Sequence, residues 1–513
     1  MEKRKRGEPM SGILLGIDIG TSACKAAAFS GDGTVLGQAS RSYPVHYPKP
    51  GWAEQDPEEW WWAVCAAIRS LLEQGVDASE IRGVGVGGQS WSAVAVDRHG
   101  SVLCSTPIWV DTRAQKICEE MKARFGEELL FHTSGNPIQP MYTMPKVLWY
   151  QENRPEVYRN ADKILQSNSF IAFRLTGEMT QEPSQGYGWN CYDVARGAWN
   201  TELCRDLGVD PSLLPQIVPC HAVIGGVTAE AAEETGLRPG TFVVAGGLDA
   251  ACGTLGAGVI RPGETQEQGG QAGGMSICMD ACRMDPRLIL GAHVVPERWL
   301  LQGGTVAGGA AVNWFEKEFC AEERAWAKEK GTSSLREMDA AAGKVPAGSE
   351  GLVFLPYLAG ERSPVWDVNA KGVFYGIDFS KTRAHFARAV MEGVAYSLRH
   401  NLEIAEQADA HAGTLRSMGG AANSGLWMQI KADVTGKDFA VPSADTATAL
   451  GAAILAGVGT GEFSDFEDAV RRTVTIRRRF APNPENAAVY SRGYVVYRGL
   501  YENLKNIMGG KVS

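Results

Sequence analysis

Two aspartates stand among glycines and small residues at the ends of apolar runs. Gly246-Gly247-Leu248-Asp249-Ala250-Ala251-Cys252-Gly253 follows Phe242-Val243-Val244. An aspartate with so little steric cover can be approached closely by a substrate, as a general base must be, although a helix N-cap would use the same residue type. Gly16-Ile17-Asp18-Ile19-Gly20-Thr21-Ser22 joins an apolar, β-branched run to a turn. Successive N–H groups and two hydroxyls in Gly20, Thr21 and Ser22 make a concavity suited to phosphate oxygens. Asp18, at the strand's end, can hold Mg2+, which takes one or two protein carboxylates and keeps several waters. A plain hairpin with an Asp-stabilised turn would read the same way. A third segment, Ser417-Met418-Gly419-Gly420-Ala421-Ala422-Asn423-Ser424, precedes Leu426-Trp427-Met428-Gln429 and Ala432-Asp433.

Other patterns fall away. Gly83 to Gly88 spells G-x-G-x-x-G, but it lies inside a strand pattern and runs on into another extended segment, where a dinucleotide site needs a helix N-terminus. Gly436-Lys437 is followed by Asp438, so there is no P-loop, and no serine sits in a G-x-S-x-G elbow. Cys220 and His221 adjoin in sequence, and neighbours rarely face each other. Eleven cysteines, with no C-x-x-C pair, are expected as buried thiols in a reducing cytosol.

The elements that must position these groups can be read from the spacing. Ile13 to Asp18, Lys25 to Phe29 and Thr34 to Leu36 are predicted strands joined by tight turns. Asp56 caps a helix with Pro57 at its first position, running to Leu72 before Gly75, and Ile81 to Val86 returns as strand. This βββαβ unit differs from strict strand-helix alternation. The second half repeats the plan loosely. Strands are predicted at Leu288 to Val295 and Trp299 to Gln302, a glycine turn at Gly303-Gly304-Thr305, and helix from Gly308. Later helices are predicted at Ala384 to Leu402, Leu426 to Val434 and Ala447 to Ala456.

The length of 513 residues argues for two lobes rather than one, with the boundary in the small-residue stretch Ala245 to Gly263. A 44% hydrophobic, 21% charged composition fills cores of that size and excludes fibrous and disordered classes. The net charge of -9 opposes phosphate backbones and anionic bilayers. Neither nucleic acid nor membrane is expected as a partner. The basic cluster Lys3-Arg4-Lys5-Arg6 stands alone before Met10 and is read as a frayed leader or an early start, and no secretory signal is recognised. The uncharged stretch Thr446 to Gly461 is too short and polar for a membrane span. A cytoplasmic protein is the expectation.

Taken together, and in order, these segments resemble the FGGY family of carbohydrate kinases over nearly the whole chain. The likeness extends to Met141 through Trp149, to Leu355-Pro356-Tyr357-Leu358-Ala359-Gly360-Glu361-Arg362-Ser363-Pro364, and to the run from Gly372 through His385 and Arg388 to Gly393. The resemblance implies an α/β, two-lobed fold of the actin, hexokinase and Hsp70 type (ribonuclease H-like) with a central cleft. It implies residues 12–256 as the sugar-binding lobe and 257–513 as the nucleotide-binding lobe. ATP and Mg2+ would be the cofactors and a small sugar the acceptor: a ketose, first a pentulose such as xylulose, with ribulose, gluconate or another polyol as alternatives. A sugar or nucleotide sensor of the same fold without phosphoryl transfer is the other reading. A homodimer is common among such relatives, and no feature of the sequence requires one.

By this resemblance Asp249 is the base, Asp18 holds the metal and Gly20, Thr21 and Ser22 take phosphate. Ser90, Trp91, Trp109 and Asp111 border the sugar, although Asp111 and Arg113, two apart on a strand, would equally make an internal ion pair. Gly270 and Gln271, with Gly309, Asn313, Gly420, Asn423 and Ser424, meet the nucleotide. Two departures from the family pattern stand out. Ser90-Trp91 replace a Met-His or Arg-Glu pair, and Gln271 stands where a Gly-Thr turn is usual. Trp60, Trp61 and Trp62 point in different directions on one helix and are expected to serve packing.

Overall fold

The computed structural model describes residues 12–443 and 446–510; the basic cluster from Lys3 to Arg6 and Met10 lie outside the described residues. The chain forms two compact units. One comprises Met1–Ile260, Gly291–Trp299 and Thr446–Thr475, the other Arg261–Leu290, Leu300–Asp445 and Ile476–Ser513. The units are therefore not consecutive stretches of chain, because two later segments return to the first.

The first unit opens with the antiparallel strands β1 (Ile13–Ile19), β2 (Ala23–Phe29) and β3 (Val35–Ser42). β3 runs well past the expected Leu36. It is a sheet edge of alternating exposure, so its polar residues hide the strand from a hydrophobicity count. Helix α1 (Pro57–Glu73) starts as predicted, with Asp56 accepting the Glu58 N–H and Pro57 in the first turn. Trp60 and Trp61 are buried and Trp62 is exposed, as three consecutive helical positions must be.

β4 (Ile81–Gly88) contains the whole G-x-G-x-x-G run as strand and pairs parallel with β1. Further along come α2 (Thr143–Asn153), β5 (Val223–Gly226), β6 (Phe242–Val244), β7 (Gly247–Leu248) and α3 (Asp249–Gly256). The seven-stranded sheet has the order β5-β6-β4-β1-β2-β3, with β7 also on β4.

The returning helix, Ala447–Gly459, packs on this sheet at backbone distance. A Cβ on Gly16 would lie 1.8 Å from the Ala449 carbonyl oxygen, and one on Gly85 would lie 2.0 Å from that of Ala452. Against α3 the fit is as close: Gly451 would meet the Cys252 oxygen at 1.8 Å and Gly256 the Ala447 oxygen at 1.9 Å. The stretch that reads as long and uncharged is a helix of small residues buried against sheet and helix. No helix among the described residues is long and apolar enough to cross a membrane.

The second unit has its own seven-stranded sheet. Its elements are β8 (Thr265–Gly269), β9 (Gly273–Met279), β10 (Ile289–Ala292), β11 (Trp299–Gly303), α4 (Gly309–Phe319), α5 (Arg383–Gln407), β12 (Leu415–Met418), α6 (Gly425–Thr435), β13 (Phe439–Pro442) and β14 (Ile476–Phe480). The strand order is β10-β11-β9-β8-β12-β13-β14. β8 pairs antiparallel with β9 and parallel with β12, so the glycine-rich ends of β8 and β12 emerge side by side. All eleven cysteines are free thiols.

The packing makes a direct prediction. Gly16→Ala must displace the returning helix and should cost about 3 kcal/mol, the upper end for overpacking a core. Gly499→Ala, where a Cβ meets nothing within 4 Å, should be neutral or stabilise by up to about 1 kcal/mol as a helix substitution. Urea midpoints of the two variants measure the difference.

Candidate active site

In the first unit the register of the sheet sets Asp18 and Asp249 near one another. Asp18 and Ile19 of β1 pair with Gly87 and Gly88 of β4, and on the other side of β4 the same two glycines pair with Gly247 and Leu248 of β7. Three parallel strands thus end level, with strands spaced about 4.8 Å apart. In open α/β sheets the carboxyl ends of strands are where ligands bind.

Asp249 is the first residue of α3. The N-cap position belongs to Leu248 and is made without a side-chain bond, so the N-cap reading of Asp249 does not describe this helix. Asp249 Oδ1 accepts the Ala250 N–H at 2.6 Å. That bond and the helix N-terminus favour the carboxylate, but burial and then the Asp18 charge outweigh them and push the carboxyl up to about 7. Burial likewise pushes Asp18 up to about 6, against the opposing pull of Lys25. Among the described residues no hydrogen-bond donor of the chain meets an Asp18 carboxylate oxygen. A pair of carboxylates left this short of protein donors fits a hard divalent cation that keeps its waters.

The turn after β1 is held from behind. Gly20 N–H bonds Ala23 O at 3.1 Å, the Tyr43 hydroxyl donates to Gly20 O at 2.5 Å, and Gln55 Nε2 donates to Thr21 O at 2.8 Å. The N–H groups of Thr21 and Ser22 meet no acceptor among the described residues, leaving them for an anion. Trp109 Nε1 donates to Thr21 Oγ1 at 2.9 Å, which joins one expected sugar-facing residue to the phosphate-facing turn.

Trp91 has a left-handed backbone, φ 53°, which is uncommon for a bulky residue. Its ring meets Tyr142 and Tyr187 edge-on, with centroids 4.8 and 5.6 Å away. Its N–H donates to Gln185 Oε1 at 3.1 Å. Ser90 beside it is half-buried. Behind this loop lies a buried polar chain. Gln185 Nε2 donates to Asn168 Oδ1, Asn168 Nδ2 to Glu182 Oε1, and Glu182 Oε2 accepts from Ser184, whose hydroxyl receives the Leu248 N–H at 2.8 Å. The residue before Asp249 is thereby tied to the loop that carries Trp91.

Asp111 is placed differently from the expectation of a sugar contact. Residues 108–112 form a turn rather than a strand, and the carboxylate is wholly buried. Its oxygens accept the Ala53 N–H at 2.6 Å, the Arg113 N–H at 2.9 Å and the Arg113 guanidinium at 2.8 Å. With its lone pairs taken, Asp111 shapes the turn and Trp109 reaches out of it.

In the second unit three glycine segments converge. The turn after β8 offers Gly270 O and Gln271 O to the Gly309 and Ala310 N–H groups at the start of α4, at 2.8 and 2.9 Å. A Cβ on Gly269 would meet Ala421 Cβ at 2.4 Å, so Gly270, Gly309 and Gly420 share one corner. The N–H groups of Gly270, Gln271 and Ala272 meet no acceptor among the described residues, and the Gln271 side chain is exposed. Asn313 and Asn423 are exposed too; Asn423 Oδ1 accepts from Arg477 at 3.1 Å, and Ser424 caps α6 through the Trp427 N–H. Glu361, pushed up to about 7 by burial, accepts from the Thr305 hydroxyl at 2.6 Å and the Val306 N–H at 3.0 Å and so fixes the turn before α4.

Comparison with known proteins shows the family. Residues 13–256 match the N-terminal domain of the FGGY family of carbohydrate kinases, and residues 287–460 match its C-terminal domain. The chain belongs to that family. It is 31% identical to a xylulose kinase of Bacillus subtilis, over 96% of this chain and 97% of the relative. A gluconokinase of Bacillus licheniformis is 29% identical over 97% of each. The crystal structure of xylulose kinase from Rhodospirillum rubrum superposes with a TM-score of 0.88 at 32% identity, covering 97% of this chain and all of that one. The protein is a sugar kinase of the actin/hexokinase-like α/β fold that uses ATP as phosphoryl donor.

Several residues that brace this candidate site carry no sequence signal of their own. Gln55 accepts from Gln89 Nε2 at 2.8 Å while supporting the Thr21 carbonyl, and Gln185 holds Trp91. Lys146 is the exception, since a lysine amid Met144, Val147 and Trp149 interrupts an apolar helix face.

The raised carboxyl of Asp249 also sets a pH dependence of stability. With a folded value of about 7 against an unfolded one of about 3.9, Asp249 ionises first in the unfolded chain, so stability falls as pH rises between those values. The kinase carrying Asp249→Asn keeps the bond from Ala250 without the charge. At pH 8 it should melt above the wild type, and at pH 4 the gap should close; thermal melts across that range measure it.

Proposed function

We propose that this kinase transfers the γ-phosphoryl group of ATP to a hydroxyl of a ketose, a pentulose such as xylulose first. The first unit would carry the acceptor site and the second the nucleotide, as expected for residues 12–256 and 257–513. The observation that carries the reading is the pair of half-buried carboxylates, Asp18 near the end of β1 and Asp249 just past the end of the parallel strand β7, beside the open N–H groups of Thr21 and Ser22. The xylulose kinase relatives support the pentulose, and the gluconokinase relatives make a sugar acid the alternative acceptor.

In this reading Asp249, raised by burial and by Asp18, accepts the proton of the attacking hydroxyl as its oxygen bonds to phosphorus. Asp18 would hold Mg2+, which supplies neutralisation of the phosphoryl charge when bound. The N–H groups of Thr21 and Ser22 receive charge that develops on the transferred group. Trp91 gives the sugar a flat apolar wall, and Trp109, steadied by Thr21, a second. The N–H groups of Gly270 and Gln271 cradle the nucleotide phosphates without a threonine hydroxyl. Gly309, Asn313, Gly420, Asn423 and Ser424 lie along the nucleotide's sugar and base.

Coupled ADP release with Mg-ATP across ketoses, polyols and sugar acids tests the proposal. A pentulose should give the highest kcat/KM, and Asp249→Asn should lower kcat by about 10²- to 10⁴-fold, the usual worth of a general base. ATP binding without turnover on any of these acceptors would favour a sensor instead.

A further inference from the structure

Lys146 is wholly buried in α2, and among the described residues no carboxylate lies within ion-pair distance of it. Its Nζ donates to two main-chain carbonyls, that of Trp91 at 2.8 Å and that of Ile108 at 2.9 Å. Neutral carbonyls repay the desolvation of an ammonium poorly. Asp111 and Arg113, the charged groups near it, act on it in opposite directions, and burial lowers its pKa to about 7. A lysine buried at such cost needs a reason beyond packing.

The reason lies in what the two carbonyls belong to. One is that of Trp91 itself, whose left-handed backbone leaves its carbonyl outside any strand ladder. The other immediately precedes Trp109, whose indole reaches Thr21. The neighbours of Lys146 on the same helix face work on the same segment. The Thr143 hydroxyl donates to Ser92 O at 3.3 Å and the Tyr150 hydroxyl to Ala93 O at 3.0 Å. Positions i, i+3 and i+7 of one helix thus satisfy three consecutive carbonyls that secondary structure leaves unmet.

We propose that Lys146 is a positioning residue for the acceptor sugar: its ammonium locks the Trp91 loop to the Trp109 turn, so that the two aromatic walls hold one spacing. This rests on the reading above that Trp91 and Trp109 border the sugar. Lys146 does not touch substrate and acts through Trp91 and Trp109.

Steady-state kinetics of the full chain carrying Lys146→Met, Trp91→Ala and both together test it, with the KM for ATP as internal control. Lys146→Met should raise the sugar KM about 10-fold or more and leave the ATP KM within about 2-fold, a split that separates acceptor binding from general damage. Added to Trp91→Ala, it should raise the sugar KM by less than about 3-fold further, because residues acting through one another do not add. Lys146→Gln, which keeps N–H donors on a shorter arm, should fall between Lys146→Met and the wild type. The proposal is overturned if Lys146→Met lowers only the amount of active enzyme with both KM values unchanged, or if its effect multiplies fully with that of Trp91→Ala. Failure of both Lys146 variants to fold would assign the residue to the fold and overturn it equally. If Trp91→Ala alone leaves the sugar KM untouched, or the wild type phosphorylates no sugar, it is the underlying site reading that fails, and the role of Lys146 falls with it.

Discussion

The returning helix Ala447–Gly459 touches β1, β4 and α3 backbone to backbone, and the site in the first unit depends on that contact. Gly16, Gly85, Gly256 and Gly451 have no room for a Cβ, so the helix lies closer than ordinary side-chain packing allows. Because the helix is in register with both β1 and α3, it fixes the end of the strand that carries Asp18 and the start of the helix that carries Asp249. Two carboxylates on separate elements are thereby held near one another despite their mutual repulsion. The electrostatic result is a carboxyl raised to about 7 by burial and by the Asp18 charge, in place of an ordinary surface aspartate.

The same economy recurs in the second unit with different parts. There the glycines at Gly269, Gly309 and Gly419 let three chain segments meet at one corner, and buried Glu361 and the Ser363 hydroxyl brace the turn between β11 and α4. Backbone N–H groups rather than side chains face outward there. A glutamine at position 271 is compatible with such a cradle because only its main chain is engaged. In both units the groups suited to chemistry are few and the polar residues that brace them are many, buried and bonded through the main chain.

Much of the site was legible from residue order. Asp18 and Asp249 announce themselves by glycine neighbours at the ends of apolar strands, and the capped helix α1 and the strand character of Gly83 to Gly88 followed from local pattern. What was not legible depends on contacts between distant residues. Lys146 and Trp91 are 55 positions apart, Gln185 and Trp91 94, Gln55 and Gln89 34; no local period encodes such pairs. For Asp111 the sequence left a sugar contact and an ion pair with Arg113 both open, and only the fold shows that Arg113 and Ala53 occupy its oxygens, in a turn where a strand was read. The return of residues after Thr446 to the first unit was hidden for a related reason. A helix of small residues carries little amphipathic signal, and its partner is the glycine surface of two strands more than 360 residues earlier.

The central claim is that burial and the Asp18 charge together hold the Asp249 carboxyl near neutrality. Isotope-edited infrared titration of aspartate carboxyls in the magnesium-free protein, with Asp249→Asn used to assign the band, measures it directly. The account requires a midpoint near 7 that moves down when Asp18→Asn removes the neighbouring charge. A midpoint near the ordinary aspartate value of about 3.9, unmoved by Asp18→Asn, would contradict it.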